Sequence, residues 1–396
     1  MRIGINALYL LPGEVGGSEI YLRSLLPPLT QAAAARGHQT LLFLNRECRG
    51  QLDLPPPATA VWCPLPARLR PARILWEQLV LPLQARRAAL DVLFSPGLTA
   101  PLLLACPSVV TIYDLQHVRH PEYFRWFDLP FWNFLVRRAA GAAAAVITLS
   151  QHSRKDLERL YALQPERLHV IPLAADPEFR PAQPADAEPS EALLERRGIR
   201  RPFILSAGTT HPHKNYRGLI GALEPLWGRG LAAQLVITGV HGLAQNVLER
   251  LLRRRGLLAQ VRLTGWLPRP ELAALFRAAQ LCVLPSLFEG FGLPALEALA
   301  SGVPLVCSQA ASLPEVVGDA ALLVDAGDPA ALRGAIERAL SDEALRAELT
   351  RRGLQRARRF SWSATAAATL AALESAARQT ELVSGVALSR SHGGRQ

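Results

Sequence analysis

No unbroken apolar stretch of this 396-residue sequence is long enough to cross a bilayer. The longest uncharged run, Val92 to Tyr113, has 22 residues but is broken by Ser, Gly, Thr and three Pro. Others, such as Ala139 to Ser150, run about a dozen with Gly or polar breaks, against the roughly 20 predominantly apolar residues that a spanning helix needs. The opening Met1-Arg2-Ile3-Gly4-Ile5-Asn6 reads as a strand and not as a charged segment followed by an apolar one, so no signal peptide is expected. Cysteine is sparse. Cys48, Cys63, Cys106, Cys282 and Cys307 are scattered without metal-ligand spacing and read as reduced core residues of a cytosolic protein. Helix-turn-helix, zinc-finger and aromatic ribonucleoprotein patterns are all missing, so nothing selects nucleic acid as a partner. The expected location is cytoplasmic, with peripheral contact to the inner face of the membrane left open.

What is there is globular. Hydrophobic residues make up 49% and charged residues 19%, and the length suits two domains, each with its own core. The net charge of +11 favours anionic partners in general, whether nucleotide diphosphates or anionic lipid. Part of it reflects an Ala-, Leu- and Arg-rich, Lys-poor usage.

The chain is organised around Pro285-Ser286-Leu287-Phe288-Glu289-Gly290-Phe291-Gly292-Leu293-Pro294-Ala295-Leu296-Glu297. The apolar run Leu281 to Leu284 reads as a buried strand, the Gly-punctuated loop follows, and Pro294 suits a first helical position. The amides of Phe291, Gly292 and Leu293 then lie at the positive end of a helix, where unpaired N–H groups favour an anion. Glu289 falls in the loop and Glu297 in the first helical turn, 297 − 289 = 8 residues apart. Carboxylates beside a phosphate repel it, so the pair is better suited to gripping hydroxyls. Amides for a diphosphate, one Glu for a sugar and the other for a ribose suit a sugar nucleotide. Each feature alone also has a plainer reading, as a turn or a helix-dipole complement.

Arg2 to Ala7 reads as a first strand, followed by a loop with Gly13, Gly16, Gly17 and Ser18 and a helix from about Glu19. Strands near Thr40 to Leu44, Ala60 to Cys63, Asp91 to Phe94 and Val109 to Tyr113 alternate with helices, which implies a parallel sheet covered on both faces. Arg68 to Arg87 reads as a basic amphipathic helix, either lying on an anionic membrane or packed on the sheet with a solvated Arg face. Asp114-Leu115-Gln116-His117 follows a strand end, where ligands of open α/β sheets collect. The clearest linker is the Pro-rich 181–191.

A second domain restarts at Arg201-Pro202-Phe203, with a strand feeding Thr209-Thr210-His211-Pro212-His213-Lys214-Asn215 and a helix from about Tyr216. Lys214 at that helix start can place a point charge on a phosphate. The domains expected are 1–180, 192–360, a C-terminal helix over 361–378 that crosses back to the first domain, and a frayed polar tail over 379–396.

The organising stretch resembles the Glu-x7-Glu signature of retaining glycosyltransferases of the family 4, group 1 type, which have the GT-B fold. That fold implies two α/β, Rossmann-like domains whose parallel sheets face across a cleft. Within the family the look is closest to bacterial mannosyltransferases of surface polysaccharide synthesis. The resemblance implies that Glu289 contacts the donor sugar, Glu297 the ribose and Lys214 a phosphate. It also places Gly16 and Gly17 toward the diphosphate and Trp266 and Leu267 at the nucleobase, and matches Phe360-Ser361-Trp362 to the crossing into the last helix. Two departures stand out. Tyr113 holds the position of the family's acceptor-side histidine, leaving Asp114 and His117 to orient the acceptor or relay its proton. The family's phosphate arginine is absent from both of its usual positions, Thr209 and His213.

Metal-dependent transferases hold a cation on an Asp-x-Asp pair, and none occurs here. The departing diphosphate is therefore expected to be neutralised by Lys214, His213 and backbone amides, with no metal and no other cofactor. GDP-mannose is the leading donor, followed by UDP-hexoses, and the acceptor is a glycan or a lipid-linked glycan. A phosphorylase or a sugar-nucleotide epimerase of the same fold, and a non-catalytic basic module, are the alternatives.

Overall fold

The structure, a computed structural model, describes residues 1–13 and 16–392. The chain divides into two compact units, Met1–Leu173 with Trp362–Gln396, and Ala174–Ser361.

The first unit runs β1 (Arg2–Asn6), α1 (Gly17–Ala35), β2 (Gln39–Leu44), β3 (Thr59–Trp62), α2 (Arg70–Leu75), α3 (Leu81–Arg87), β4 (Val92–Ser95), β5 (Ser108–Thr111), α4 (Gln116–Arg119), α5 (Leu129–Ala142), β6 (Ala145–Thr148), α6 (Gln151–Tyr161) and β7 (Leu168–Val170). Its seven strands form one parallel sheet in the order β3-β2-β1-β4-β5-β6-β7. Strands β4, β5 and β6 are buried along their whole length, the pattern of a sheet covered on both faces. Each fully buried Val, Leu or Ile there contributes about 1.5–3 kcal/mol.

The second unit runs α7 (Ala187–Arg197), β8 (Phe203–Ala207), α8 (Tyr216–Gly228), β9 (Gln234–Thr238), α9 (Gln245–Arg254), β10 (Val261–Gly265), α10 (Arg269–Ala278), β11 (Leu281–Leu284), α11 (Leu293–Ala300), β12 (Leu305–Ser308), α12 (Leu313–Val317), β13 (Leu322–Val324), α13 (Pro329–Ser341) and α14 (Glu343–Ala357). Its six parallel strands are ordered β10-β9-β8-β11-β12-β13. The chain winds outward from β8 to β10 and then returns to β11 on the other side of β8. The loops after β8 and β11 therefore leave neighbouring carboxyl ends in opposite directions, which opens a crevice between them.

The last helix, α15 (Trp362–His392), belongs to the first unit. It lies on α1: Glu374 takes Arg36 Nη1 at 2.8 Å and His38 Nε2 at 2.9 Å, and the Trp362 ring sits 6.4 Å from that of Tyr21.

Several boundaries differ from those read in the sequence. The Pro-rich segment 181–191 is not a linker, since the division falls between Leu173 and Ala174. Pro184–Asp186 makes a helical turn leading into α7, capped where Gln183 N donates to Asp186 at 2.8 Å and clamped by Arg180 on the same carboxylate. Proline there opens a helix instead of breaking the chain. The helix read over Arg68 to Arg87 starts at Arg70 and carries a π-helical turn, Trp76–Val80, between α2 and α3, with the backbone helical throughout. The backbone of 379–392, expected as a frayed tail, continues α15, and 393–396 lie outside the described residues. All five cysteines are free, four of them buried and Cys106 half-buried.

Candidate active site

The crevice of the second unit brings together the loops after β8 and β11. Lys214, one of two lysines in the sequence, ends a short helical turn over Pro212–Lys214, and Asn215 follows in the left-handed region as N-cap of α8. Two contacts direct the lysine inward. Leu287 N donates to His213 O at 2.7 Å, tying the two loops, and Gly208 lies so close that a Cβ there would stand 3.0 Å from Lys214 Cε.

Lys214 Nζ reaches Glu289 Oε1 at 2.6 Å, and Ser286 Oγ donates to the same oxygen at 2.7 Å. Burial pushes the Glu289 carboxyl up, but Lys214, with His213 and the Ser286 hydroxyl, outweighs it and holds the group below the ordinary carboxylate value. Ser312 Oγ donates to Glu289 O at 2.8 Å and braces the loop from the other side. His213 stacks at 5.7 Å on His211. Thr209 sits half-buried between Gly208 and Thr210, and its carbonyl accepts from His211 N at 2.7 Å.

Helix α11 begins one residue earlier than read in the sequence, at Leu293, with Gly292 as N-cap at φ 95°. A side chain at Gly292 would also run into Leu313, 2.6 Å from the ideal Cβ position. Among the described residues nothing accepts from the amides of Phe291, Gly292 and Leu293, the unpaired donors of a helix start. The Phe291 ring itself is buried against Phe360.

Glu297 is a correction. The earlier start of α11 puts it in the second turn, and it is only 2% exposed. Its Oε1 accepts from Arg269 Nη1 at 2.7 Å, while Arg269 Nε and Nη2 hold Asp176 Oδ2 at 3.0 and 2.7 Å and its guanidinium lies 4.4 Å over the Phe179 ring. Burial pushes the Glu297 carboxyl up to about 7, with Arg269 opposing and Asp176 adding to the rise. Arg269 and Asp176 were not found in the sequence; Pro268-Arg269-Pro270-Glu271 shows only a helix start, and their partners are remote in the chain. At the end of β10, Trp266 is 56% exposed, so it is not a core residue, while Leu267 is buried.

In the first unit, Gly16 caps α1 at φ 68° and the helix starts at Gly17, two residues before the expected Glu19, with open space at both glycines. Asp114 follows the end of β5, and its Oδ1 accepts from Gln116 N at 2.9 Å. His117, expected beside it on the acceptor side, is instead buried, its Nε2 3.0 Å from Tyr161 Oη and its ring edge-on to Phe124. Burial lowers its pKa to about 4, so it is a neutral packing residue. Tyr113 Oη donates to Pro96 O, and its ring meets Tyr21 edge-on at 5.7 Å.

Two family models match the chain, "Glycosyltransferase Family 4" over residues 15–179 and "Glycosyl transferases group 1" over 193–356. The O-antigen chain mannosyltransferase B of Escherichia coli is 35% identical over 64% of this chain and 67% of its own length. An MMP alpha-(1->4)-mannosyltransferase of Mycolicibacterium hassiacum is 32% identical over 78% of this chain and 74% of its own. Among solved structures, the sucrose-phosphate synthase of Thermosynechococcus elongatus superposes with a TM-score of 0.74 at 20% identity, covering 98% of this chain and all of that one. Anabaena HepE in complex with UDP and glucose gives 0.73 at 20% identity over 95% of this chain and all of that one. These two show the GT-B fold.

Proposed function

We infer the reaction from one premise: the chain belongs to the glycosyltransferases of family 4, group 1. It is an enzyme, not a non-catalytic basic module. The substrates we propose are a nucleotide sugar and a glycan or lipid-linked glycan, with retention of anomeric configuration and without a metal. Mannose from GDP-mannose is the leading donor, supported by relatives named as mannosyltransferases.

The observation that carries the reading is the Lys214–Glu289 pair at 2.6 Å, beside the unpaired amides of α11. Glycosyl transfer separates a sugar that gains positive charge from a diphosphate that keeps the bonding electrons. Catalysis therefore needs fixed positive groups where that charge develops. An ammonium has three donors, so Lys214 keeps Glu289 and still offers protons to a phosphate oxygen. His213 and the amides of Phe291, Gly292 and Leu293 add to it. Glu289, held ionised, accepts from the sugar hydroxyls. Glu297 spends Oε1 on Arg269 and presents Oε2 to the ribose. Asp114 is the acceptor-side group of the first unit, and His117 plays no part in the step.

The test is a thermal-shift screen with GDP, UDP, ADP and dTDP sugars, followed by product analysis with the donor that binds. A specific shift with a GDP sugar and transfer that persists in chelator support the reading. Turnover abolished by chelator and restored by magnesium would overturn its metal-free form, and a shift with another base alone would replace the donor.

A further inference from the structure

Helix α9 buries one apolar row and leaves a second uncovered. Leu248 and Leu252 pack into the core of the second unit. Leu243, Val247 and Leu251, four residues apart, line a groove of about 720 Å³ between α8 and α9. Leu243 is 46% exposed and Val247 53%, and Leu251 is half-buried. Among the described residues of the second unit no other helix exposes a large apolar side chain, so the row is not a general feature of its surface.

The groove carries charge of one sign. Arg217 on α8 and Arg250 and Arg254 on α9 line it, and no Asp or Glu does. The acids on these two helices are already engaged elsewhere: Glu249 holds Arg253 at 3.2 Å, and Glu224 holds Arg255. Among the described residues no carboxylate pairs with Arg217, Arg250 or Arg254, and all three are exposed. An apolar row bordered by unpaired guanidinium groups therefore runs along α9.

The wall of the groove is pre-formed. Thr210 Oγ accepts from Gly242 N at 2.7 Å and donates to Gln245 Oε1 at 2.9 Å, and Ala244 N donates to Thr210 O at 2.9 Å. The start of α9 is thereby stitched to the loop after β8, and an occupant has little chain left to order. Lys214, on the same loop, points to Glu289 and does not line the groove.

We propose that this groove receives an acidic amphipathic helix of a partner protein. Apolar side chains of that helix, at three- and four-residue spacing, would cover Leu243, Val247 and Leu251, and its Asp or Glu residues would meet Arg217, Arg250 and Arg254. Both halves of the match are those of helix-in-groove recognition, in which the apolar row gives affinity and the complementary charges set approach and register. A second copy of the chain offers no such helix among the described residues, since the exposed leucines of α2 and α3 stand among arginines. A bilayer is broad and flat and does not fill a concave groove, and a lone phosphate leaves the apolar row uncovered. The inference goes beyond the reaction proposed above and does not depend on it.

The experiment is a fluorescence-anisotropy titration of the full chain with three labelled, side-chain-stapled peptides of about four helical turns. The first carries leucines at three- and four-residue spacing flanked by glutamates, the second has lysines for the glutamates, and the third scrambles the first. Saturable binding of the first alone, weakened by salt, is expected. Val247→Ser should weaken it about tenfold, and Arg250→Gln/Arg254→Gln should cost about as much and remove most of the salt dependence. Circular dichroism and an unchanged melting temperature certify the fold of each variant. No binding of the first peptide, equal binding of the scrambled or lysine peptide, or wild-type affinity in both variants would overturn the proposal. So would displacement of the peptide by inorganic pyrophosphate at constant ionic strength, pelleting with anionic vesicles that Val247→Ser abolishes, or a dimer that the same change dissolves.

Discussion

Arg269 donates to Glu297 at 2.7 Å while two of its other nitrogens hold Asp176, so one guanidinium serves two carboxylates in the interior of the second unit. Glu297 is thereby oriented but not fully compensated. Burial raises its pKa to about 7, and Arg269 is the main group holding it down. Because the folded value lies above the ordinary one, the group favours the native state most at low pH and loses that contribution as pH rises from about 4.5 to 7. Donor use should follow the opposite trend, since with Oε1 on Arg269 only the carboxylate form keeps Oε2 as a full acceptor for the ribose.

Arg269→Met should therefore move the rising limb of the kcat/KM profile for donor to higher pH and cost about tenfold at neutral pH. Arg269→Lys should recover part of it. A pH–rate profile measured on the three proteins checks this; a uniform loss at all pH values would mean that Arg269 acts only through packing.

Lys214→Ala removes the cation from the loop after β8 and leaves Glu289 with Ser286. We expect kcat/KM to fall by about 10²–10³, the effect of deleting one fixed donor from a site of developing charge. Glu289→Gln should weaken discrimination among donor sugars more than affinity for the free nucleoside diphosphate. Steady-state kinetics and nucleotide titration separate the two.

His117 is protonated in the unfolded chain below about pH 6.5 but stays neutral in the fold down to about 4. In that window the unfolded state binds more protons, so stability falls as pH is lowered through it. At pH 5 the loss is about 2 kcal/mol. His117→Phe should reduce the drop in melting temperature between pH 8 and pH 5 by about 4–8 °C, as read by calorimetry.

Gly292 stands at φ 95° with Leu313 2.6 Å from where a Cβ would be. Gly292→Ala should cost about 1–3 kcal/mol through backbone strain and overpacking. It should also raise the donor KM, because the displaced cap carries the amides of α11. Denaturant melts and donor titration measure the two effects.

The α/β class, the parallel order of strand and helix, and the loop from Pro285 to Leu293 were legible in the chain, since apolar runs, glycine and proline act locally. So was Lys214 at a helix start. The pairing of Lys214 with Glu289 was not, because it arises from the reversal of winding that makes β8 and β11 neighbours across 75 residues of chain. Nor were the burial of His117, the continuous path through the Pro-rich 181–191 segment, or the clamp of Arg269 on Glu297 and Asp176. Local pattern specifies which elements form and where they begin. Which charges face each other, and which lose water, depends on how those elements stack, and only the folded chain decides that.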